Sequence, residues 1–115
     1  MTADNWPDFN DLWDYDDPAG TETRFRQLLP DTSKTADLSS HLQLLTQIAR
    51  ALGLQKKFDE AHATLDEVEA AMAAGSLVEV RCMLERGRVF NSAKQPEEAV
   101  PLFHKAVEIG QAIGA

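Results

Sequence analysis

The same order of small and large side chains occurs twice in the chain, with the second copy 38 positions after the first. The first copy contains Ala49, Leu52, Ala61, Leu65 and Val68, and the second contains Gly87, Phe90, Ala99, Phe103 and Ala106. In a packed helical hairpin, a small residue lets two helix axes cross closely, and large apolar neighbours fill the space toward the next hairpin. The repeated order therefore predicts two similar helical hairpins in succession.

Apolar residues three or four positions apart place each hairpin on a pair of amphipathic helices. Gly75 is predicted to end the first pair, and Pro96, followed by two glutamates, is predicted to begin the last helix. Pro101 removes a donor inside that helix, so we expect a bend or an irregular start there. No segment alternates with a period of two, which predicts no strands. The expected helices are 18–29, 38–53, 58–72, 77–92 and one that starts at 96.

Aspartate and proline mark the ends of a shorter helix before the first hairpin. Asp17 suits an N-cap and Pro18 the first helical position, and Pro30 is expected to stop the helix. Residues 30–36 have the composition of a polar linker, after which Asp37 is expected to cap the next helix. One helix is therefore predicted to precede the two pairs.

Residues 1–17 form a segment of different character, an acidic arm with aromatic residues. It contains six aspartates and no lysine or arginine, so it carries −6 of the net charge of −8. Aspartate is a poor helix former and Pro7 interrupts the segment, which predicts irregular or extended chain. Its aromatic side chains present apolar area that is unfavourable in water. We therefore expect something to cover the arm.

The charge and the cysteine content exclude several classes of function. A net charge of −8 disfavours affinity for nucleic acid or a membrane surface, because both require a basic face. No apolar stretch approaches the roughly 18 residues of a membrane span, and the acidic start is unlike a secretory signal, so we expect a cytoplasmic protein. Cys82 is the only cysteine, which rules out an intramolecular disulfide and predicts a buried, reduced thiol.

The repeated residues resemble the tetratricopeptide repeat, a helix–turn–helix unit of 34 residues with a fixed order of large and small positions. The second copy matches through Met83, Gly87, Phe90, Ala99, Phe103 and Ala106, and the first through Leu45, Ile48, Ala49, Leu52, Ala61, Leu65 and Val68. The resemblance implies an all-α, right-handed α-solenoid of about five helices. Two repeats and an N-terminal half-unit are expected to span residues 18–113.

Two departures from the family pattern give further expectations. The period of 38 implies about one extra helical turn per unit, expected in the helix that ends at Gly75, as in longer-helix variants from bacterial regulatory proteins. Arg86 stands where the family has a large apolar residue. Either its aliphatic stem covers apolar surface while its charged head reaches water, or this part of the core is shifted.

The resemblance also implies that the first helix of each unit lines a concave groove that binds extended or helical peptides. The matching positions are Gln43, Thr46, Gln47, Arg50, Gly53 and Leu54 in the first unit and Arg81, Leu84, Glu85, Arg88, Asn91 and Ser92 in the second. Arg50, Arg81 and Arg88 allow two interpretations. They form a positive patch that holds carboxylates through forked hydrogen bonds, or they are ordinary solvated charges paired with nearby glutamates.

No motif in the sequence predicts catalysis or a cofactor. There is no glycine-rich phosphate loop, and no serine or cysteine has a recognisable nucleophile context. His41, His62 and His104 fall on three different predicted helices, so we expect no metal site. We accordingly expect that the protein is not an enzyme.

The last predicted helix leaves apolar residues without a capping helix after them. Val107, Ile109 and Ile113 are examples. Repeat stacks usually need about three units and polar terminal faces. Three explanations fit, namely a fragment of a longer array, self-association through the open end, or coverage by the acidic arm, and we favour the first two.

These observations predict a non-enzymatic module that binds a peptide or protein partner or that self-associates. The alternative is a regulatory sensor array of a longer protein, which recognises a signalling peptide. A further hypothesis concerns the arm. Its aspartates and aromatic residues lie against the arginines of the groove, in the same or a neighbouring chain, and mask the groove until a partner competes.

Overall fold

The structure, a computed structural model, describes residues 9–33 and 38–114, and this part of the chain is helical without strands. The prediction of an all-α protein is confirmed. One short helix precedes five long ones. The helices are α1 (Phe9–Leu12), α2 (Pro18–Ser33), α3 (Leu38–Leu54), α4 (Phe58–Ala71), α5 (Leu77–Ser92) and α6 (Pro96–Ala112).

The start of α2 follows the prediction and its end does not. Asp17 Oδ1 accepts a hydrogen bond of 3.0 Å from the backbone N–H of Gly20, so Asp17 caps a helix that begins at Pro18. The predicted stop at Pro30 is wrong, because α2 continues to Ser33. Proline removes only one N–H donor, and the remaining turns keep their bonds. The predicted cap at Asp37 lies outside the described residues.

The connections inside the two hairpins have the same backbone conformation. Each is three residues long, and the middle residue, Lys56 in one and Lys94 in the other, has a positive φ of 65° and 63°. The bonds that close the loops are Lys56 N to Gly53 O (3.0 Å), Lys57 N to Leu52 O (3.0 Å), Lys94 N to Asn91 O (3.0 Å) and Gln95 N to Phe90 O (2.9 Å). Both helices therefore end in a Schellman motif.

The extra length of the repeat does not lie where it was expected. Helix α4 ends at Ala71 after 14 residues, so the predicted extra turn before Gly75 is wrong. Residues 72–76 instead form a connection in which Gly75 has a φ of 72°. Ser76 then caps α5 by accepting a bond from Glu79 N, and Glu79 Oε1 accepts one from Gly75 N. This reciprocal capping fixes the start of α5 after the connection.

Helices α3 and α5 lie at the centre of the packing. Helix α3 contacts α2, α4 and α5, and α5 contacts α3, α4 and α6. The main core lies between α2, α3, α4 and α5, and a smaller apolar cluster joins α5 to α6. Helix α6 runs without interruption from Pro96 through Pro101, which is exposed.

Cys82 lies inside this core, as predicted. Its side chain is fully buried, and burial raises the pKa of the thiol to about 12. The Sγ atom points toward the backbone carbonyl of Leu65 at 3.9 Å. The residue therefore packs as a small apolar side chain and not as a reactive nucleophile.

The small residues of the repeated pattern are buried. Ala49 and Ala61 are fully buried in the first hairpin, and Ala99 is nearly so in the second. At Gly87, an added Cβ atom would lie only 2.5 Å from the ring of Phe103 on α6. The absence of a side chain at Gly87 thus allows α5 and α6 to approach.

Arg86 bridges α5 and α4 through its charged head. Its guanidinium donates to Asp66 Oδ1 at 2.8 Å, to Glu69 Oε1 at 3.2 Å and to His62 Nδ1 at 3.1 Å. The position of a large apolar residue in the family pattern is therefore used for an ionic contact at the helix interface. Burial, followed by the charge of Arg86, lowers the pKa of His62.

Candidate functional site

A cleft of about 160 Å³ opens between the carboxyl-terminal ends of α3 and α5. It is lined by Arg50, Gly53 and Leu54 from α3 and by Arg88, Val89, Asn91 and Ser92 from α5. All of these except Val89 belong to the predicted groove positions. The structure therefore brings together residues of the two repeat copies that are far apart in the sequence.

Sequence reasoning missed Val89, which is buried beneath the cleft. An added Cβ atom at Gly53 would lie 3.2 Å from Val89 Cγ2, so the two helices are in close contact here. Because Gly53 has no side chain, Val89 forms part of the cleft lining although it is only 1% exposed. The sequence carries no signal for this contact, because periodicity within one helix does not show which residue of a neighbouring helix lies opposite.

Glu85 lies beside the cleft and pairs with two of the predicted arginines. Its Oε2 atom is 2.6 Å from Arg88 Nη1, and its Oε1 atom is 4.0 Å from Arg50 Nε. The residue is only 3% exposed, and among the described residues Oε1 has no hydrogen-bond partner. Burial raises the pKa of Glu85, while the charges of Arg88, Arg50 and Arg81 act in the opposite direction.

Two of the three predicted arginines are ion-paired in the structure. Arg50 and Arg88 are paired with a glutamate, as the second interpretation expects. Arg81 is exposed, and its charge also acts on Glu85. Two arginines of the cleft thus share one carboxylate, which leaves a positive excess there on a protein of net charge −8.

Several predicted groove residues are not on an open surface. Gln43, Thr46 and Gln47 are 8%, 0% and 5% exposed, and Glu85 is also buried. The prediction that these four residues line an accessible groove is wrong, because their side chains are buried. The hydroxyl of Thr46 donates to Gln43 O at 2.6 Å. Arg50, Arg81, Arg88 and Asn91 do retain exposed surface.

The acidic arm accounts for part of this burial. Trp13 Nε1 donates to Gln47 Oε1 at 2.9 Å, and the indole meets the ring of Phe25 edge-on at 5.4 Å. Leu12 and Trp13 pack against the main core. The expected irregular chain over 1–17 is wrong at Phe9–Leu12, which forms α1, since apolar packing offsets poor helix propensity there. Residues 1–8 lie outside the described part.

Arg50 lines the cleft and also contacts the arm. Its guanidinium carbon lies 5.2 Å from the ring centroids of both Trp13 and Tyr15, and these two rings stack at 4.9 Å. Within one chain the arm therefore contacts Arg50 through its aromatic rings. Masking of the groove until a partner competes stays a hypothesis. No aspartate in the described part of the arm forms an ion pair with Arg50 or Arg88.

A second exposed feature is the outer face of α6. Val100, Phe103, His104 and Val107 line an apolar depression of about 460 Å³. A further depression of about 240 Å³ on the other side of Val107 includes Leu84, so this predicted groove residue faces α6 and not the α3–α5 cleft. Val100 and Val107 are each more than half exposed.

Comparison with protein-family models, with curated proteins and with solved structures finds no match to the chain. Over the residues that the structure describes, none of the helices has the length and apolar character needed to cross a membrane. His41, His62 and His104 lie on α3, α4 and α6, and the described residues hold no group of three potential metal ligands.

Proposed function

We propose that the chain is a helical-repeat module of the tetratricopeptide type, a right-handed α-solenoid of two repeats, α3–α4 and α5–α6, preceded by the half-unit α2. Three observations support this. The loops at Lys56 and Lys94 close in the same way. The small residues of both copies are buried. Helices α3 and α5, the first helices of the two units, contact each other.

The function we propose is non-enzymatic binding of a peptide segment from a partner protein in the α3–α5 cleft. The observation that carries the proposal is that Arg50 and Arg88, at equivalent positions of the two copies, line the same cleft. Each guanidinium has five N–H donors, and Glu85 accepts from only one of those of Arg88. The remaining donors suit the carbonyl and carboxylate oxygens of a peptide.

The test is a selection of displayed peptides against the immobilised full chain, followed by affinity measurements on the selected peptides. The double variant Arg50→Met and Arg88→Met is expected to weaken binding at least about tenfold, since each lost charge-assisted hydrogen bond is worth about 1.5–3 kcal/mol. A control with Lys57→Met and Lys105→Met makes the same charge change on exposed residues that do not line the cleft. Selected peptides that bind both double variants equally well would refute the proposal.

Self-association through α6 is a second proposal, favoured by the exposure of Val100 and Val107. A second copy that covers this face would remove apolar area from water at about 25 cal/mol per Å². Light scattering on the full chain is expected to give a dimer mass at high concentration. Replacement of both valines by lysine should return it to the monomer. A monomer at all concentrations would contradict this second proposal.

A further inference from the structure

Trp13 shows how the first repeat unit holds a tryptophan side chain. The indole N–H donates to Gln47 Oε1 at 2.9 Å, and the guanidinium of Arg50 lies 5.2 Å from the ring centroid. The acceptor and the arginine are one turn apart on α3. One group satisfies the polar atom of the indole, and the other interacts with its π-face.

The second repeat unit carries a hydrogen-bond acceptor and an arginine at the equivalent positions of α5. Glu85 is 38 positions after Gln47, and Arg88 is 38 positions after Arg50. Glu85 also offers an Oε1 atom, which is buried and without a hydrogen-bond partner among the described residues. A buried acceptor of this kind is unfavourable until a donor meets it.

A ligand side chain can reach Glu85 if the two arginines that contact its carboxylate move. Arg50 and Arg88, which contact its carboxylate, have side chains that are 28% and 46% exposed. Long, partly exposed arginine side chains change rotamer readily, and such a change would expose Oε1 to the adjoining cleft. Gly53 on the facing helix lines the same cleft and has no side chain to fill it.

We propose that the α3–α5 cleft binds a tryptophan side chain in an acidic segment of a partner polypeptide, with Glu85 Oε1 accepting the indole N–H and Arg88 against the ring. The inference rests on the proposed function and specifies its ligand. It assigns to Glu85 and Arg88 the roles that Gln47 and Arg50 have toward Trp13.

Charge complementarity favours an acidic segment. Arg50 and Arg88 line the cleft and share the single carboxylate of Glu85, so the cleft keeps a positive excess. The residues that follow Trp13 in the arm, Asp14 to Asp17, are mostly aspartates. Opposite charge accelerates association and holds the segment in one orientation. The neutral indole N–H, in contrast, is compatible with a buried carboxylate as its acceptor.

The probe is a labelled synthetic peptide with the sequence of residues 8–17, DFNDLWDYDD, titrated into the full chain and followed by fluorescence anisotropy. The variant Glu85→Gln keeps an acceptor atom, as Gln47 does, and should retain affinity within about threefold. The variant Glu85→Leu removes the acceptor and should weaken binding about tenfold. Arg88→Met is expected to weaken binding by a similar factor.

Three controls complete the experiment. Arg81→Met changes the charge by the same amount as Arg88→Met, but Arg81 does not line the cleft, so we expect less than a threefold effect. A peptide with phenylalanine in place of its tryptophan keeps a ring without the N–H donor. That peptide should bind the wild-type chain about tenfold more weakly and should no longer distinguish it from Glu85→Leu. Circular dichroism confirms the fold of each variant.

The outcomes separate this inference from the proposed function. Equal binding of the peptide to wild type and Glu85→Leu would overturn the inference. That result is expected if the peptide instead displaces the chain's own arm and binds at Gln47. Selected peptides that require Arg50 and Arg88 but contain no tryptophan would also overturn it, while the proposed function would stand. Selected peptides that ignore both arginines would overturn the two together.

Discussion

Replacing Trp13 by alanine removes the aromatic contacts that join the arm to the repeat helices. The hydrogen bond to Gln47 contributes about 1 kcal/mol. The ring pairs with Phe25 and Tyr15 contribute about 0.5–1.5 kcal/mol each, and the cation–π contact with Arg50 about 0.5–1 kcal/mol. Since such contributions are not additive, we expect the free energy of unfolding to fall by about 3 kcal/mol.

Urea denaturation followed by far-ultraviolet circular dichroism measures this change. Trp13→Phe keeps a ring but loses the N–H donor, so its expected loss is about 1 kcal/mol. Tyr15→Ala is a control on a more exposed ring and should cost less than Trp13→Ala. A Trp13→Ala variant within about 0.5 kcal/mol of wild type, the usual effect of a surface substitution, would show that the arm is not held by these contacts.

Other substitutions test the repeat and the charged interface. Gly87→Ala should destabilise by about 1 kcal/mol in urea, because overpacking costs about 1–3 kcal/mol while alanine gains about 1 kcal/mol of helix propensity. Lys56→Gly and Lys94→Gly should each stabilise by up to about 1 kcal/mol, since both residues have positive φ, and unchanged or lower midpoints would contradict this. The pKa of His62 is lowered in the folded state, so the unfolded state binds more protons near pH 6.5. Stability should therefore fall as the pH drops through about 6.5, with a smaller fall in His62→Gln.

The helices and their pairing follow from local rules, and the sequence therefore predicts most of them. Pro18 begins a helix because its missing N–H has no partner there in any case. The stripes of apolar residues in α3 and α5 identify the faces that are buried. The end of α2 was less predictable, since a proline such as Pro30 costs one hydrogen bond, which the rest of a helix can tolerate.

The candidate site was predictable in position but not in accessibility. Arg50 and Arg88 could be predicted because they are 38 positions apart in the repeated sequence pattern, and both line one cleft. The burial of Gln47 depends on Trp13, which is 34 residues away in a segment whose composition predicts irregular chain. The burial of Glu85 depends on the contact between α3 and α5. Helical periodicity describes one helix at a time and contains neither fact.

The most direct test of the proposed binding site is a nuclear magnetic resonance titration of the full chain with a peptide selected for binding. Backbone amide shifts are expected to change at the carboxyl-terminal ends of α3 and α5, around Gly53 and Val89. These peptide-induced changes in chemical shift should be absent in the double variant Arg50→Met and Arg88→Met. Shifts confined to the outer face of α6, around Val100 and Val107, would contradict a ligand site between α3 and α5.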